Sequence, residues 1–333
     1  MVKKALITGI TGQDGRYLAK LLLQKGYEIY GLTRHDRTVD GAIKLIKGCL
    51  TDAESIKKAL EISRPDEIYN LGAQSNANLS FQIPEETWDI NYFGVRHLVR
   101  AAMKLNPRIK IYQASSAEMF GTTPPPQKES SPFNPVSPYA ETKTAAHRDY
   151  VVGYRERYGL FICSGILFNH ESPLRNKEFV TRKITHALAK IKLGLQDHLE
   201  LGNLAVKRDW GFAGDYVEAM WMILQQPEPE DFVIATGISH TVEQFAQLAA
   251  DYLDMPITWR EQGVHQIGIN QQKKVIVKVN PSFFRPNEVH HLLGNPIKAR
   301  KKLGWHSKVN FGQLVEMMVK SDLDLVAREH GIK

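Results

Sequence analysis

Two cysteines in 333 residues cannot make a disulfide framework. Cys49 and Cys163 each stand among apolar neighbours without metal-ligand spacing, so both read as free thiols and no metal site is expected. No apolar run approaches the length that spans a bilayer. The opening "MVKKALITGITGQDG" has two lysines and a short apolar run, but glycines and Gln13-Asp14 break it too early for a secretory signal, so the expected location is cytoplasmic. Internal repeats and low-complexity segments are lacking, and no basic run is interleaved with aromatics, which argues against a nucleic-acid reader. The net charge of +7 is scattered over small clusters. Lys273/Lys274 and Arg300/Lys301/Lys302 read as solvated faces, and an anionic small molecule suits the surplus.

What is present is ordinary in amount, 43% hydrophobic and 24% charged, and informative in order. The runs "KALITGI", "YEIYGL", "EIYNLG", "IKIYQASS" and "LFICSGILF" are strand-like, and stretches with apolar residues three or four apart, such as Leu18, Leu21 and Leu22, separate them. Strands alternating with helices predict an α/β fold, a Rossmann-like doubly wound parallel sheet. Beyond residue 168 the pattern loosens. "DFVIATG" (231–237) has the look of a strand returning to the first sheet, and Phe311, Leu314, Val315, Met318 and Val319 form the stripe of a core-facing helix. The expected division is a dinucleotide-binding domain, 1–168 plus 209–237, and a smaller, discontinuous substrate-binding domain, 169–208 plus 238–333.

"ITGITGQDG" places Gly9, Gly12 and Gly15 between the first strand and the first helix, one residue off the common GxGxxG spacing. Such a turn lets backbone N–H groups approach a pyrophosphate at a helix N-terminus. At the end of the second strand, where an NAD site usually carries an acid, stand Thr33 and Arg34. A guanidinium there can pair with a 2′-phosphate, which favours NADP over NAD. "SPYAETK" sets Tyr139 four residues before Lys143, one helical turn apart on one face, where an ammonium is expected to lower the phenol's pKa. In "ASSAEMFG", Ser116 and the carboxylate of Glu118 follow an apolar run. Trp210 and Trp221 read as core, and His147 and His186 have no assigned chemistry.

The glycine turn, the serine at a strand end and the YxxxK pair, in that order, resemble the extended short-chain dehydrogenase/reductase superfamily. "YQASSAEMFG", "LFNHESPLR", "FVTRKI", "RDWGFAGDYVEAMW" and "FRPNEVHHLLGNP" are, within it, similar to the GDP-mannose 4,6-dehydratase family. The resemblance implies a lyase that removes water from a GDP-sugar by internal hydride transfer, with Ser116, Glu118, Tyr139 and Lys143 catalytic. Cofactor contacts then fall on Gly9, Ile10, Thr11, Gly12, Gln13, Asp14 and Gly15, on Arg34 and Leu50, and on the turn Leu71, Gly72, Ala73, Gln74 and Ser75. Tyr139, Lys143, His170 and Arg175 complete that set. Asn169, Lys183, Arg208, Arg285 and Glu288 are implied to hold the GDP-sugar. Three positions depart from the family pattern: Cys49 replaces an aspartate, Asn76 a histidine and Glu86 a tyrosine. A homo-oligomer is implied; the family's arginine- and serine-rich segment is reduced here to "TRHDRTVDG", which leaves a dimer in better standing than a tetramer. A GDP-4-keto-6-deoxymannose reductase is the alternative enzyme, a GDP-heptose the alternative substrate, and a non-catalytic NADP(H) sensor the alternative of another class. "NHESPLR" and "RDWG" favour the dehydratase, and a sensor has no need of Ser116, Tyr139 and Lys143 together.

Overall fold

A strand covered on both faces must be apolar nearly throughout, and Lys4–Thr8 (β1) is buried at four of its five positions. The computed structural model describes residues 2–34, 41–284 and 287–332. Residues 35–40, which hold most of the shortened "TRHDRTVDG" segment, and the candidate Arg285 lie outside the described residues.

After β1 come Glu28–Thr33 (β2), Ile43–Lys47 (β3), Glu67–Asn70 (β4), Lys110–Ser116 (β5) and Ile162–Leu167 (β6). Further on are Asn169–Glu171 (β7), Leu199–Leu201 (β8), Lys207–Arg208 (β9), Trp210–Phe212 (β10) and Phe232–Ile234 (β11). Seven of these form one sheet in the order β11-β6-β5-β4-β1-β2-β3, and all its pairings are parallel. The strand-like run at 231–237 does return to it, Phe232 opposite Gly165. The order reverses between β1 and β4, so a crevice opens beyond their C-terminal ends.

Helices cover both faces. Gln13–Gln24 (α1) packs Leu18 and Leu22 on one side, and Ala53–Ser63 (α2) packs Ile56 and Leu60 on the other. The next helices are Ala77–Ser80 (α3), Pro84–Trp88 (α4) and Gly94–Leu105 (α5), then Pro138–Ala146 (α6) and Gly153–Tyr158 (α7). A π-helical turn joins α4 to α5 (Asp89–Phe93) and another joins α6 to α7 (His147–Val152). Between β5 and α6, the Pro/Ser-rich stretch 122–138 is a loop held at its middle. Gln127 N donates to Leu293 O (2.8 Å), Asn295 N to Gln127 O (2.8 Å), and Leu293 N to the Gln127 side chain (3.0 Å).

A second core lies among Val180–Lys192 (α8), Val242–Asp251 (α10) and Phe311–Glu329 (α12), while Ala213–Leu224 (α9) and Ile297–Leu303 (α11) pack with the first. The second gathers Ile184 and Leu188 of α8, Phe245 of α10, and Leu314, Val315, Met318 and Val319 of the expected stripe. A four-stranded sheet backs it, made of β8 with Thr258–Arg260, Ile267–Ile269 and Val275–Val279. Ala299 of α11 and Trp305 pack instead with the first core. Arg182 and Asp322 tie α8 to α12 inside: Arg182 Nε reaches both Asp322 oxygens at 2.7 Å, and Thr185 Oγ1 donates to Oδ2 at 2.6 Å.

Candidate active site

β1, β4 and β5 end in polar side chains that are buried and therefore bonded to one another. Gly72 N donates to Thr8 Oγ1 (2.9 Å), Thr8 Oγ1 to Asn70 Oδ1 (2.6 Å) and Asn70 Nδ2 to Gln113 Oε1 (2.7 Å). Gln113 Nε2 and Lys143 Nζ then both donate to Ala114 O, at 3.0 and 2.9 Å. This ladder fixes the strand ends relative to one another and to the helix that carries Lys143.

The two glycine-bearing turns meet on top of it. Gly9 has φ +68°, and a Cβ there would stand 2.8 Å from Gly72 N, so the turns after β1 and β4 touch backbone to backbone. Gly12 precedes α1 and offers no side-chain cap, which leaves the start of that helix open to an anionic ligand. The arrangement fits a dinucleotide: a turn with glycine at both its ends, a helix start and Leu50 beside Gly72. Arg34 follows β2 on the exposed surface.

After β5 the chain makes a 3₁₀ turn, Ala117–Phe120, with Ser116 as its cap: Glu118 N donates to Ser116 Oγ at 3.2 Å. Gly121 ends the turn at φ +52°, where a Cβ would lie 1.7 Å from Asn134 O, so no other residue fits there. Glu118 is half-buried and lines a cavity of about 630 Å³ above the strand ends. Ser137 caps α6, with Ala140 N donating to its Oγ (3.2 Å) and Pro138 in the first turn; this presents Tyr139 and Lys143 to the same cavity.

The expected electrostatics of that pair is reversed. Burial pushes the Tyr139 phenol up to about 12, against a hydrogen bond to Ser116 that lowers it, while the charge of Glu118 adds to the rise. Burial also brings Lys143 down to about 8. The ammonium is turned to Ala114 O and stands 5.9 Å from the Tyr139 ring centre, too far to outweigh desolvation.

On the opposite wall His170 Nε2 lies 2.8 Å from Asp14 Oδ2, and His170 Nδ1 lies 2.8 Å from Phe168 O. Burial works against both charges. Their mutual attraction outweighs it, lowering the Asp14 pKa and raising that of His170. Gln13 Nε2 donates to Asp14 and to His170 O, and Ser172 Oγ donates to Gln13 Oε1, so the glycine turn is bonded to β7. Arg175 Nε is 3.1 Å from Glu171 Oε2, with its guanidinium 3.6 Å over Phe179.

Of the candidates for the sugar nucleotide, Asn169, Lys183, Arg208 and Glu288 line the cavity. Arg208 is buried and gives N–H bonds to Lys207 O and Val289 O, while Lys183 lies 4.0 Å from the Phe283 ring centre. Among the cofactor candidates Asp14, Leu71, Ala73, Ser75, His170 and Arg175 line it too. Gly9 to Gln13, Gly15, Arg34, Leu50, Gly72 and Gln74 are not among its lining residues. Asn76, Asn78 and Gln82 also face the cavity and were not among the candidates. Asn76 caps α3, accepting from Asn78 N and Leu79 N. Their signal was three carboxamides in "NANLSFQ", legible only once the turn is known to overhang the strand ends. No cluster of three or more His, Cys, Asp or Glu suited to a metal ion occurs among the described residues.

A family model described as GDP-mannose 4,6 dehydratase matches residues 6–318. GDP-mannose 4,6 dehydratase 1 of Arabidopsis thaliana is 48% identical, over 98% of this chain and 91% of its own. The Vibrio cholerae GDP-mannose 4,6-dehydratase is 45% identical, over 100% and 96%. Among solved structures, a Thermus thermophilus UDP-glucose 4-epimerase in complex with NAD aligns with a TM-score of 0.81 at 23% identity, covering 96% of this chain and 98% of that one, a likeness of fold.

Proposed function

The chain belongs to the GDP-mannose 4,6-dehydratase family, and from that membership we propose how its residues divide the reaction. It is a hydro-lyase that converts GDP-D-mannose to GDP-4-keto-6-deoxy-D-mannose and water, and it uses a nicotinamide dinucleotide. When bound, that group supplies a reversible hydride acceptor, so the loss of water needs no external reductant. Tyr139 takes the proton of the C4 hydroxyl while Ser116 orients the oxygen. Tyr139 acts in this step as the phenolate and ends it as the phenol, and Lys143, cationic below about pH 8, supplies the positive charge that favours the phenolate beforehand. The C4 ketone acidifies the C5 hydrogen. Glu118 takes that proton and delivers it to the departing C6 hydroxyl. The observation that carries this reading is Glu118 in the same cavity as Tyr139 and Lys143, on a turn capped by Ser116.

Asn169, Lys183, Arg208, Arg285 and Glu288 hold the GDP-sugar in this proposal. The glycine turn, Arg34, Leu50, Leu71 to Ser75, His170 and Arg175 hold the cofactor, and Arg34 selects NADP. Replacing Arg34 with alanine then narrows the preference for NADP over NAD in a binding titration. The two domains follow the division at 168/169, 208/209 and 237/238. No described helix is long and apolar enough to cross a membrane, and a cytoplasmic location is the reading adopted. A dimer rather than a tetramer is proposed on the shortness of the "TRHDRTVDG" segment. Scattering mass in solution tests it.

The deciding experiment is incubation with GDP-mannose and no reductant. A keto product lighter by one water is expected. Unchanged GDP-mannose sinks the assignment, and so does a keto-sugar consumed with NADPH, which would make the protein a reductase.

A further inference from the structure

Beyond the Lys183–Phe283 contact a second cavity of about 400 Å³ opens, and its chemistry differs from that of the first. Its floor is apolar, Ala187 of α8 and Leu199 of β8, both buried. Its walls carry Lys177, Lys183, His186 and His198, with a single carboxylate, Glu200, among the described lining residues. That carboxylate is engaged: Asn280 Nδ2 donates to Glu200 Oε2 at 3.0 Å, and His198 Nε2 lies 3.6 Å from Oε1. The ammonium groups are poorly satisfied. Lys177 has only a distant pairing with Glu329, 3.7 Å, and half-buried Lys183 forms no hydrogen bond or ion pair among the described residues. A half-buried ammonium beside a ring, with the charge of Glu200 felt but not hydrogen-bonded, lacks its full complement of acceptors. Lys183 and Phe283 line both cavities, so one cation stands between two chambers.

We propose that the second cavity binds a phosphate-class oxyanion through Lys177, Lys183 and His198, and that its occupant competes with the sugar nucleotide for Lys183. The compact tetrahedral anion suits two ammonium groups and an imidazole that line one cavity from the segment before α8, from α8 itself and from the segment before β8. The phosphoryl group has two possible sources, free phosphate or the third phosphate of a guanine nucleotide lying in the first cavity and reaching across Lys183. With either source an occupied second cavity raises the KM for substrate and leaves kcat unchanged.

The test uses the full chain, wild type and the double variant Lys177→Ala/His198→Gln, at constant ionic strength with chloride as the control. Inorganic phosphate is titrated by calorimetry, and GTP is compared with GDP. Wild type should bind phosphate, or bind GTP more tightly than GDP, and the double variant should lose that binding or that advantage by about tenfold. Phosphate binding points to the free anion, and a GTP advantage alone to the nucleotide. Turnover of GDP-mannose supplies a second readout, which rests on the proposed reaction while calorimetry does not. Phosphate should raise KM several-fold in wild type and much less in the variant, whose KM without phosphate stays close to wild type. Equal effects in both proteins, or none beyond chloride, overturn the proposal.

Discussion

Lys143 and Arg182 are both buried cations, one in the cleft and one in the second core, and their surroundings treat them in opposite ways. Arg182 meets both oxygens of Asp322, gives further N–H bonds to Pro173 O and Arg175 O, and Thr185 completes the acceptor side. Lys143 has one carbonyl, Ala114 O, and no carboxylate partner among the described residues. The first charge is fully engaged and has nothing left to give a reaction. The second is held short of its needs, so its protonation can change near working pH. The contrast separates side chains that hold the fold from those proposed to perform the chemistry, and each side can be broken alone.

The largest effect belongs to the cleft. Glu118→Gln should reduce kcat by about 10²–10⁴-fold while thermal stability and nucleotide binding stay at wild-type values, since the amide keeps the shape and loses the base. Asp322→Ala should do the reverse. Unfolding free energy falls by about 3–5 kcal/mol in a denaturant titration, because Arg182 is left buried and unpaired, while kcat of the folded fraction is retained. A variant that loses kcat at full folding would move Asp322 into the catalytic account.

Lys143→Met sharpens the comparison, because it should abolish turnover and yet stabilise. Below pH 8 the folded state must carry a proton it binds less tightly than the unfolded chain does, so the wild type is penalised there. The penalty fades as pH rises from about 8 to 10.5, and at pH 7 the methionine variant should gain up to about 3 kcal/mol. Unchanged or lower stability would mean that the Ala114 contact fully compensates the burial. The smallest effect is on the pH profile. Wild-type kcat/KM should fall above a limb near pH 8 as Lys143 loses its proton, and residual activity of Lys143→Arg should lack that limb.

Much of this contrast was legible beforehand. Alternating strand and helix periods announced the parallel sheet, and the residues between Gly9 and Gly15, at Ser116 and Glu118 and at Tyr139 and Lys143 do converge at its strand ends, because local turns and caps place each of them. The sign of the Tyr139 shift was not legible. It depends on burial, which a motif does not express, and on where the Lys143 ammonium turns. That Asn76, Asn78 and Gln82 face the cavity was not legible, because the four-residue helix between Asn76 and Gln82 has too short a period to show its facing. The π turns at 89–93 and 147–152 have no signature separable from the α-helical pattern around them.

The loop clamped at Gln127 has a mechanical corollary. Glu118 lies just upstream of it and Tyr139 just downstream, while its midpoint is fastened to the strip that runs on from Glu288. One clamp therefore anchors the middle of the single segment that runs from Glu118 to Tyr139.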